Sequence, residues 1–146
     1  VTGVQTCALP ICLQYLAGCG LTSTTQITTW YLGLYGSGST NNPAAGDTLA
    51  LHTGWTEINP YTGNRPAATF TAATNANPSV VTNSASKAQY TITSAGPTTV
   101  GGAFLCSAAS GTSGTLFSAA DFSSPGDRVV YAGDILNVTY TFSLSA

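Results

Sequence analysis

The C-terminal segment Asp134–Leu144 alternates between apolar and polar side chains from Leu136 onward. The apolar side chains at every second position are those of Leu136, Val138, Tyr140, Phe142 and Leu144. The residues between them carry hydroxyl or amide side chains. Successive side chains of a β-strand point to opposite faces, so this pattern predicts an antiparallel strand with one face buried and one face in water. Such a strand needs a second layer against its apolar face.

Most of the preceding chain also has the composition of short strands separated by turns. Ile27–Tyr35 places Trp30, Leu32 and Leu34 on one face and Tyr31 and Tyr35 on the other, which predicts a central strand with both faces covered. Further strands are predicted at Gly54–Ile58, Ala67–Thr71, Ser79–Thr82, Gln89–Thr93, Thr99–Ser107, Gly114–Phe117 and Arg128–Tyr131.

Two of these strands have faces that can be assigned. Tyr90 and Ile92 are expected to point inward. Val100, Phe104 and Cys106 are expected to share one face of their strand, where Gly101 and Gly102 allow close approach of a neighbour.

The Asn59–Pro66 segment carries dense turn chemistry, and Ala67–Thr71 is expected to return as the partner of Gly54–Ile58. About eight antiparallel strands in one domain, residues 27–146, predict an all-β, jelly-roll-like sandwich.

The N-terminal residues differ in character from the rest. Val1–Ile11 (VTGVQTCALPI) resembles the translation of a sequencing-library adapter, and the chain contains no Met. We therefore expect this segment to be an artefact rather than native sequence. Residues 12–26 are expected to be the remnant of a short helix followed by a linker, with Leu13, Leu16 and Ala17 on one helix face and Gly18 and Gly20 as stop signals.

The scarcity of charge excludes several classes of function. Charged residues make up 5% of the chain, against roughly 25% in an average globular protein, although 43% of the residues are hydrophobic. The cations Arg65, Lys87 and Arg128 are scattered, whereas nucleic-acid binding needs clustered Lys and Arg, so no nucleic-acid partner is expected. No stretch approaches the roughly 18 apolar residues of a membrane span, so no membrane partner is expected either. A surface of low charge favours self-association.

No catalytic motif is recognisable in the sequence. The chain has one histidine, His52, and no nucleophile elbow, phosphate loop or Cys/His pair at metal spacing. Asp121, Asp127 and Asp134 are too widely spaced for a calcium loop and are interpreted as turn-capping residues. We therefore expect a protein that is not an enzyme and has no metal or other cofactor.

One loop combines polar and aromatic residues more densely than the rest of the chain, and it supplies the candidate site. Its members are His52, Trp55, Glu57, Tyr61 and Arg65. A ligand-binding interpretation has Trp55 or Tyr61 stacking on a sugar, with Glu57 and Arg65 bonding its hydroxyl groups. A structural interpretation has Trp55 pinning the loop to the core while Glu57 and Arg65 pair across the Asn59–Pro66 turn; we favour the structural one.

Several segments recur in the order typical of one known family. They are TTWYLGLYG (28–36), DTLALHTGWTEINPYTGNRPAATF (47–70), TNSASKAQYTI (82–92), VGGAFLCS (100–107), GTLFSAADFSS (114–124) and GDILNVTYTFS (133–143). In that order the chain resembles a small tail-fibre-like virion protein of tailed bacteriophages over nearly all of residues 27–146. The family pattern also begins with a short helix, which Leu13–Gly18 fits, whereas Gly96–Gly101 departs from it. The resemblance implies a β-sandwich without a catalytic role.

The resulting functional expectation is a structural component of a phage virion, located in the tail or on the particle surface. Its expected partners are other virion proteins, further copies of the same chain and a host-surface glycan. The alternative hypothesis is a carbohydrate-binding β-sandwich module of a secreted bacterial protein, supported by the aromatic side chains of Trp55 and Tyr61. Isolated monomers that bind sugar saturably would favour the alternative.

Overall fold

The computed structural model describes residues 2–6, 10–37, 44, 46–123 and 126–145. These residues form one helix and ten strands, so the all-β class is confirmed, while the jelly-roll connectivity stays a prediction. The elements are β1 (Thr2–Thr6), α1 (Pro10–Leu21), β2 (Trp30–Gly36), β3 (Glu57–Ile58), β4 (Ala67–Ala68), β5 (Ser79–Thr82), β6 (Ala88–Thr91), β7 (Thr98–Cys106), β8 (Leu116–Asp121), β9 (Arg128–Val130) and β10 (Ile135–Leu144).

The first sheet is organised around β10, the strand with the strict alternation. On one side β10 pairs in parallel with β1, from Thr2 opposite Thr139 to Thr6 opposite Ser143. On its other side it pairs antiparallel with β6 along its first half and with β5 along its second half. The strand β1 lies within the segment that resembles an adapter, and its assignment as an artefact stays a prediction.

The second sheet has β2 and β7 at its centre, as the two apolar faces of Ile27–Tyr35 predict. The short strands β3 and β4 both pair with the outer edge of β2, and β8 and β9 both pair with the outer edge of β7. The expectation that Ala67–Thr71 pairs with Gly54–Ile58 is therefore wrong. The segment between β3 and β4 lets them dock one after the other along the same neighbour instead of folding back on each other.

The main core lies between the two sheets. Leu32, Leu34 and Leu105 of the second sheet meet Tyr90 and Val138 of the first, and all five side chains are buried. The Tyr90 hydroxyl donates a hydrogen bond of 2.8 Å to the Leu32 carbonyl, which ties the sheets together. The predicted inward faces of β6 and β2 are confirmed, and that of β10 is confirmed through Tyr140, beyond which Phe142 is half-buried and Leu144 exposed.

A second core covers the outer face of the second sheet. Tyr35 and Phe104 point away from the first sheet and pack against Leu49 and Trp55, which lie on the loop before β3. The second sheet is therefore buried on both faces, by the first sheet on one side and by this loop on the other.

The expectation that Val100, Phe104 and Cys106 share one face is wrong. Val100 belongs to the main core, whereas Phe104 and Cys106 belong to the outer core. The cause is a bulge: Tyr35 pairs with Gly102 and Gly36 pairs with Val100, so Gly101 is an extra residue in β7. An extra residue changes the face on which the side chains before it point.

Element boundaries also differ from the expectations, most clearly at α1 and β8. The helix α1 runs through Gly18 and Gly20 to Leu21, so these glycines do not end it, and Ala17 is exposed rather than packed beside Leu16. The strand β8 continues to Asp121 because its pairing with β7 extends to Gly102. A Cβ at Gly102 would lie 2.3 Å from the Tyr35 ring, which confirms the predicted close approach.

Candidate functional site

Trp55 anchors the loop that covers the outer core. Its side chain is 3% exposed, and its ring packs against those of Tyr35 and Phe104 at centroid distances of 5.6 and 4.9 Å. The indole Nε1 donates a hydrogen bond of 2.9 Å to Oδ2 of Asp47, which also accepts from the Ala44 amide. Sequence reasoning missed Asp47, whose signal was an acidic residue standing alone in an otherwise uncharged segment.

His52 covers part of the Trp55 indole from outside. The two rings are stacked with centroids 3.7 Å apart and an angle of 10° between their planes. His52 Nδ1 lies 2.9 Å from the Trp55 carbonyl oxygen, and because a carbonyl only accepts, Nδ1 carries the proton in this contact. The imidazole is half-exposed, so it is the part of this stack that solvent reaches.

Glu57 and Arg65 form the ion pair that the structural interpretation predicted. Arg65 Nε and Nη2 donate to the two carboxylate oxygens of Glu57 at 2.7 and 2.6 Å. The remaining guanidinium bonds go to the carbonyl oxygens of Ala108 and Gly111, both at 2.8 Å, and the Arg65 amide donates to the carbonyl of Ala109. Arg65 therefore joins the β3–β4 connection to the loop that follows β7.

The Arg65 cation is held in a largely dry environment. The residue is 4% exposed, and its guanidinium carbon lies 5.1 Å from the centre of the Phe104 ring. Burial is the largest single effect and opposes the charged form, but the hydrogen bonds to Glu57 together with the charge interactions with Cys106, Glu57 and Tyr61 leave the pKa of Arg65 above its ordinary value. All three guanidinium nitrogens already donate to protein oxygens, so this group has little capacity left for a ligand.

Tyr61 lies in the main core rather than on the surface. It is 8% exposed, and its ring packs against that of Tyr90 at a centroid distance of 4.9 Å. Its hydroxyl forms no hydrogen bond with the described part of the chain. Burial, assisted by the nearby Glu57 carboxylate, raises the pKa of Tyr61 to about 12.

The five candidate residues therefore do not converge on one surface. Trp55 belongs to the outer core with His52 stacked on its outer side, whereas Tyr61 belongs to the main core. Trp55, Tyr61 and Arg65 are buried, while His52 and Glu57 are half-exposed. Their role as ligand or receptor contacts stays a prediction, and in this conformation the buried rings present no face to a sugar.

A small polar pocket of about 160 Å³ opens beside the ion pair. Glu57, Asn59, Arg65 and Ser110 contribute its polar wall. Because the Arg65 donors and both Glu57 oxygens are engaged with each other, the pocket lacks an uncommitted charge with which to recognise a charged ligand.

Other reactive groups are dispersed. Within the described ranges no three His, Cys, Asp or Glu side chains come together as metal ligands would. Asp121 accepts a 2.8 Å hydrogen bond from the Tyr35 hydroxyl, and Asp134 accepts one from the Tyr131 amide, as a turn-capping residue does. Of the two free thiols in the part of the chain that the structure describes, Cys19 is half-buried, and burial raises the pKa of the Cys106 thiol.

Comparisons with known proteins leave the chain without an assigned relative. No family model, curated protein or solved structure matches it. In the part of the chain that the structure describes, no helix combines the length and the apolar character needed to cross a membrane.

Proposed function

We propose that this chain is a structural component of a tailed-phage virion that acts by non-covalent assembly with copies of itself and with other virion proteins. The motif order described above supports the phage assignment. The all-β architecture and the absence of a metal-ligand cluster among the described residues are compatible with a role without catalysis.

The observation that carries the assembly proposal is that charged side chains are few and that most of them form hydrogen bonds within the chain. Five of the eight charged side chains form hydrogen bonds within the chain: Asp47, Glu57, Arg65, Asp121 and Asp134. The remaining surface consists largely of hydroxyl, amide and small apolar groups. Such a surface costs little to desolvate, and its low charge gives little repulsion between copies.

An exposed apolar patch at the β9–β10 connection offers a contact surface. Val129, Tyr131 and Ile135 are 52%, 57% and 58% exposed, and a hydrogen bond from the Asp134 amide to the Tyr131 carbonyl holds this turn. Aromatic side chains such as that of Tyr131 are enriched at protein interfaces. We assign this patch, Val129–Ile135, as an assembly contact.

The test is a light-scattering measurement of the oligomer, followed by a binding assay with the proteins encoded beside this chain. We expect a discrete oligomer or a complex with such a neighbour, and at least tenfold weaker association in the Tyr131→Lys/Ile135→Lys variant. Leu51→Lys is the control, because Leu51 is 72% exposed on a different loop. A strictly monomeric parent that binds no co-encoded virion protein would overturn the proposal.

The carbohydrate-binding module is the second hypothesis and has less support. Its aromatic residues, Trp55 and Tyr61, are both buried. Saturable sugar binding by a monomer of this chain would favour this second hypothesis over the assembly proposal.

A further inference from the structure

A cavity of about 370 Å³ lies between α1 and strands of both sheets. The second sheet contributes Trp30 and Phe117 to its walls, and the first sheet contributes Val81, Tyr140 and Phe142. Tyr15 and Leu16 of the helix lie over it. This cavity joins residues from distant parts of the chain, so no local sequence pattern predicts it.

Aromatic rings in mutual contact form the walls. Tyr15 meets Trp30 edge-on at a centroid distance of 5.5 Å, Trp30 meets Phe117 at 5.2 Å, and Phe117 meets Phe142 at 5.5 Å. Phe70 and Tyr140 form a second pair at 5.9 Å on the lining. Rings that hold one another edge to face keep a preformed shape, so the cavity does not have to be opened by a ligand.

The polar groups of the lining lie mainly at the helix end. No Asp, Glu, Lys or Arg is among the described lining residues. The Tyr140 hydroxyl is already hydrogen-bonded to Ser118. The Tyr15 hydroxyl accepts a hydrogen bond of 2.6 Å from the Ile27 amide and lies near the free thiol of Cys19. Together with the Gln26 side chain, these groups define one polar corner in an otherwise apolar site.

We propose that this cavity binds the hydrocarbon chain of an uncharged amphiphile, such as a long-chain alcohol, with its hydroxyl at the Tyr15 corner. An apolar cavity of this size falls in the range of small-molecule sites, roughly 300–1,000 Å³. A carboxylate is excluded because the described lining residues include no cation to offset its desolvation. The inference does not depend on the proposed virion function.

The experiment uses the full chain and the neutral fluorophore N-phenyl-1-naphthylamine. We expect saturable binding of one molecule per chain, displacement by 1-dodecanol, and at least tenfold weaker displacement by dodecanoate. Saturating 1-dodecanol should also slow alkylation of Cys19 by a maleimide, because Cys19 lines the cavity whereas Cys106 is buried elsewhere.

Two tryptophan variants distinguish the cavity from other apolar surface. Ala73 lines the cavity and is exposed, so Ala73→Trp should obstruct the entrance and weaken dye binding at least tenfold without lowering the melting temperature. Ala72 is exposed but does not line the cavity, so Ala72→Trp should bind as the parent does. Three results would each overturn the proposal. The first is dye uptake that does not saturate, and the second is equal dye binding by both variants. The third is dye binding that weakens as the protein concentration rises, which a second copy filling the cavity would cause.

Discussion

Gly33 of β2 lies directly beneath the ring of Phe104, its register partner on β7. A Cβ at position 33 would lie 2.1 Å from Phe104 Cζ, far inside contact distance. Phe104 is fully buried against Trp55 and cannot move aside easily. We expect Gly33→Ala to lower the free energy of unfolding by about 1–3 kcal/mol, the range for overpacked cores, in a denaturant titration.

Gly36 in the same strand is the matched control. A Cβ there would meet Ile58 at 3.7 Å, which is ordinary contact. Gly36→Ala should therefore leave the free energy of unfolding unchanged or slightly higher. Equal destabilisation by both substitutions would contradict the steric explanation.

The half-exposed Glu57 and the buried Arg65 should behave as one coupled unit. Glu57→Gln removes the anion and leaves the Arg65 cation buried with neutral partners, so we expect a loss of about 3–5 kcal/mol in the free energy of unfolding. In the Glu57→Gln background, Arg65→Met should lower the free energy of unfolding by less than it does in the parent, because it removes the uncompensated charge. A double-mutant cycle in denaturant checks this, with Lys87→Met as a control at an exposed cation. Strictly additive effects would contradict the coupling.

The two packed tyrosines Tyr61 and Tyr90 should respond in opposite ways to loss of their hydroxyl groups. The Tyr90 hydroxyl donates to the Leu32 carbonyl at 2.8 Å, so Tyr90→Phe should cost about 1 kcal/mol. The buried Tyr61 hydroxyl has no protein partner in the described residues, so Tyr61→Phe should be neutral or stabilising. Thermal melts of both variants test the pair. A larger loss for Tyr61→Phe would show that its hydroxyl is satisfied in solution.

Alkaline pH should unfold the protein. Burial raises the pKa values of Tyr35, Tyr61, Tyr90 and Tyr140 above the ordinary value of 10.0, and that of Tyr61 to about 12. A raised pKa favours the protonated phenol in the folded state. Its stabilising contribution is therefore complete below pH 10 and is lost as the pH rises towards the folded-state value. Each such tyrosine lowers the free energy of unfolding by about 1.4 kcal/mol per pH unit in that window.

Circular dichroism and phenolate absorbance, followed together against pH, test this expectation. The loss of structure and the appearance of these phenolates should coincide above pH 10, and the midpoint should move upward in Tyr61→Phe. Ionisation of the buried tyrosines in a protein that keeps its fold would refute the linkage.

Substitution of Trp55 separates the structural role of its loop from the predicted glycan contact. Trp55→Ala removes a buried indole and its bond to Asp47, so we expect a loss of about 3–5 kcal/mol in the free energy of unfolding. His52→Ala, at the half-exposed outer ring of the stack, should cost much less. Melting curves measured beside a glycan array check both variants. Lost glycan binding at an unchanged melting temperature in Trp55→Ala would favour the contact instead.

Local periodicity accounts for the parts of the fold that the sequence predicted. The alternation in β10 and the two apolar faces of β2 each result from one rule, that neighbouring side chains of a strand point to opposite faces, so they were visible without the structure. The pairing of Glu57 with Arg65 was also accessible, because a single turn separates two opposite charges in a chain that has few others.

The features that the sequence did not predict depend on distant contacts. The change of faces in β7 follows from the extra residue Gly101, which is visible only once Tyr35 is paired with Gly102 and Gly36 with Val100. The carboxylate that binds Trp55 is Asp47, eight residues away along an irregular loop with no period to connect them. The aromatic cavity joins α1 to strands from both sheets, and no property of any one of these segments indicates it.

The double burial of the second sheet decides where foreign sequence can be added to this protein. The loop carrying Leu49 and Trp55 forms a third layer, so a peptide inserted there would strip the outer core from Phe104 and Tyr35. The 84–87 turn before β6 is exposed throughout and contributes nothing to either core. Epitope tags and display peptides therefore belong in that turn.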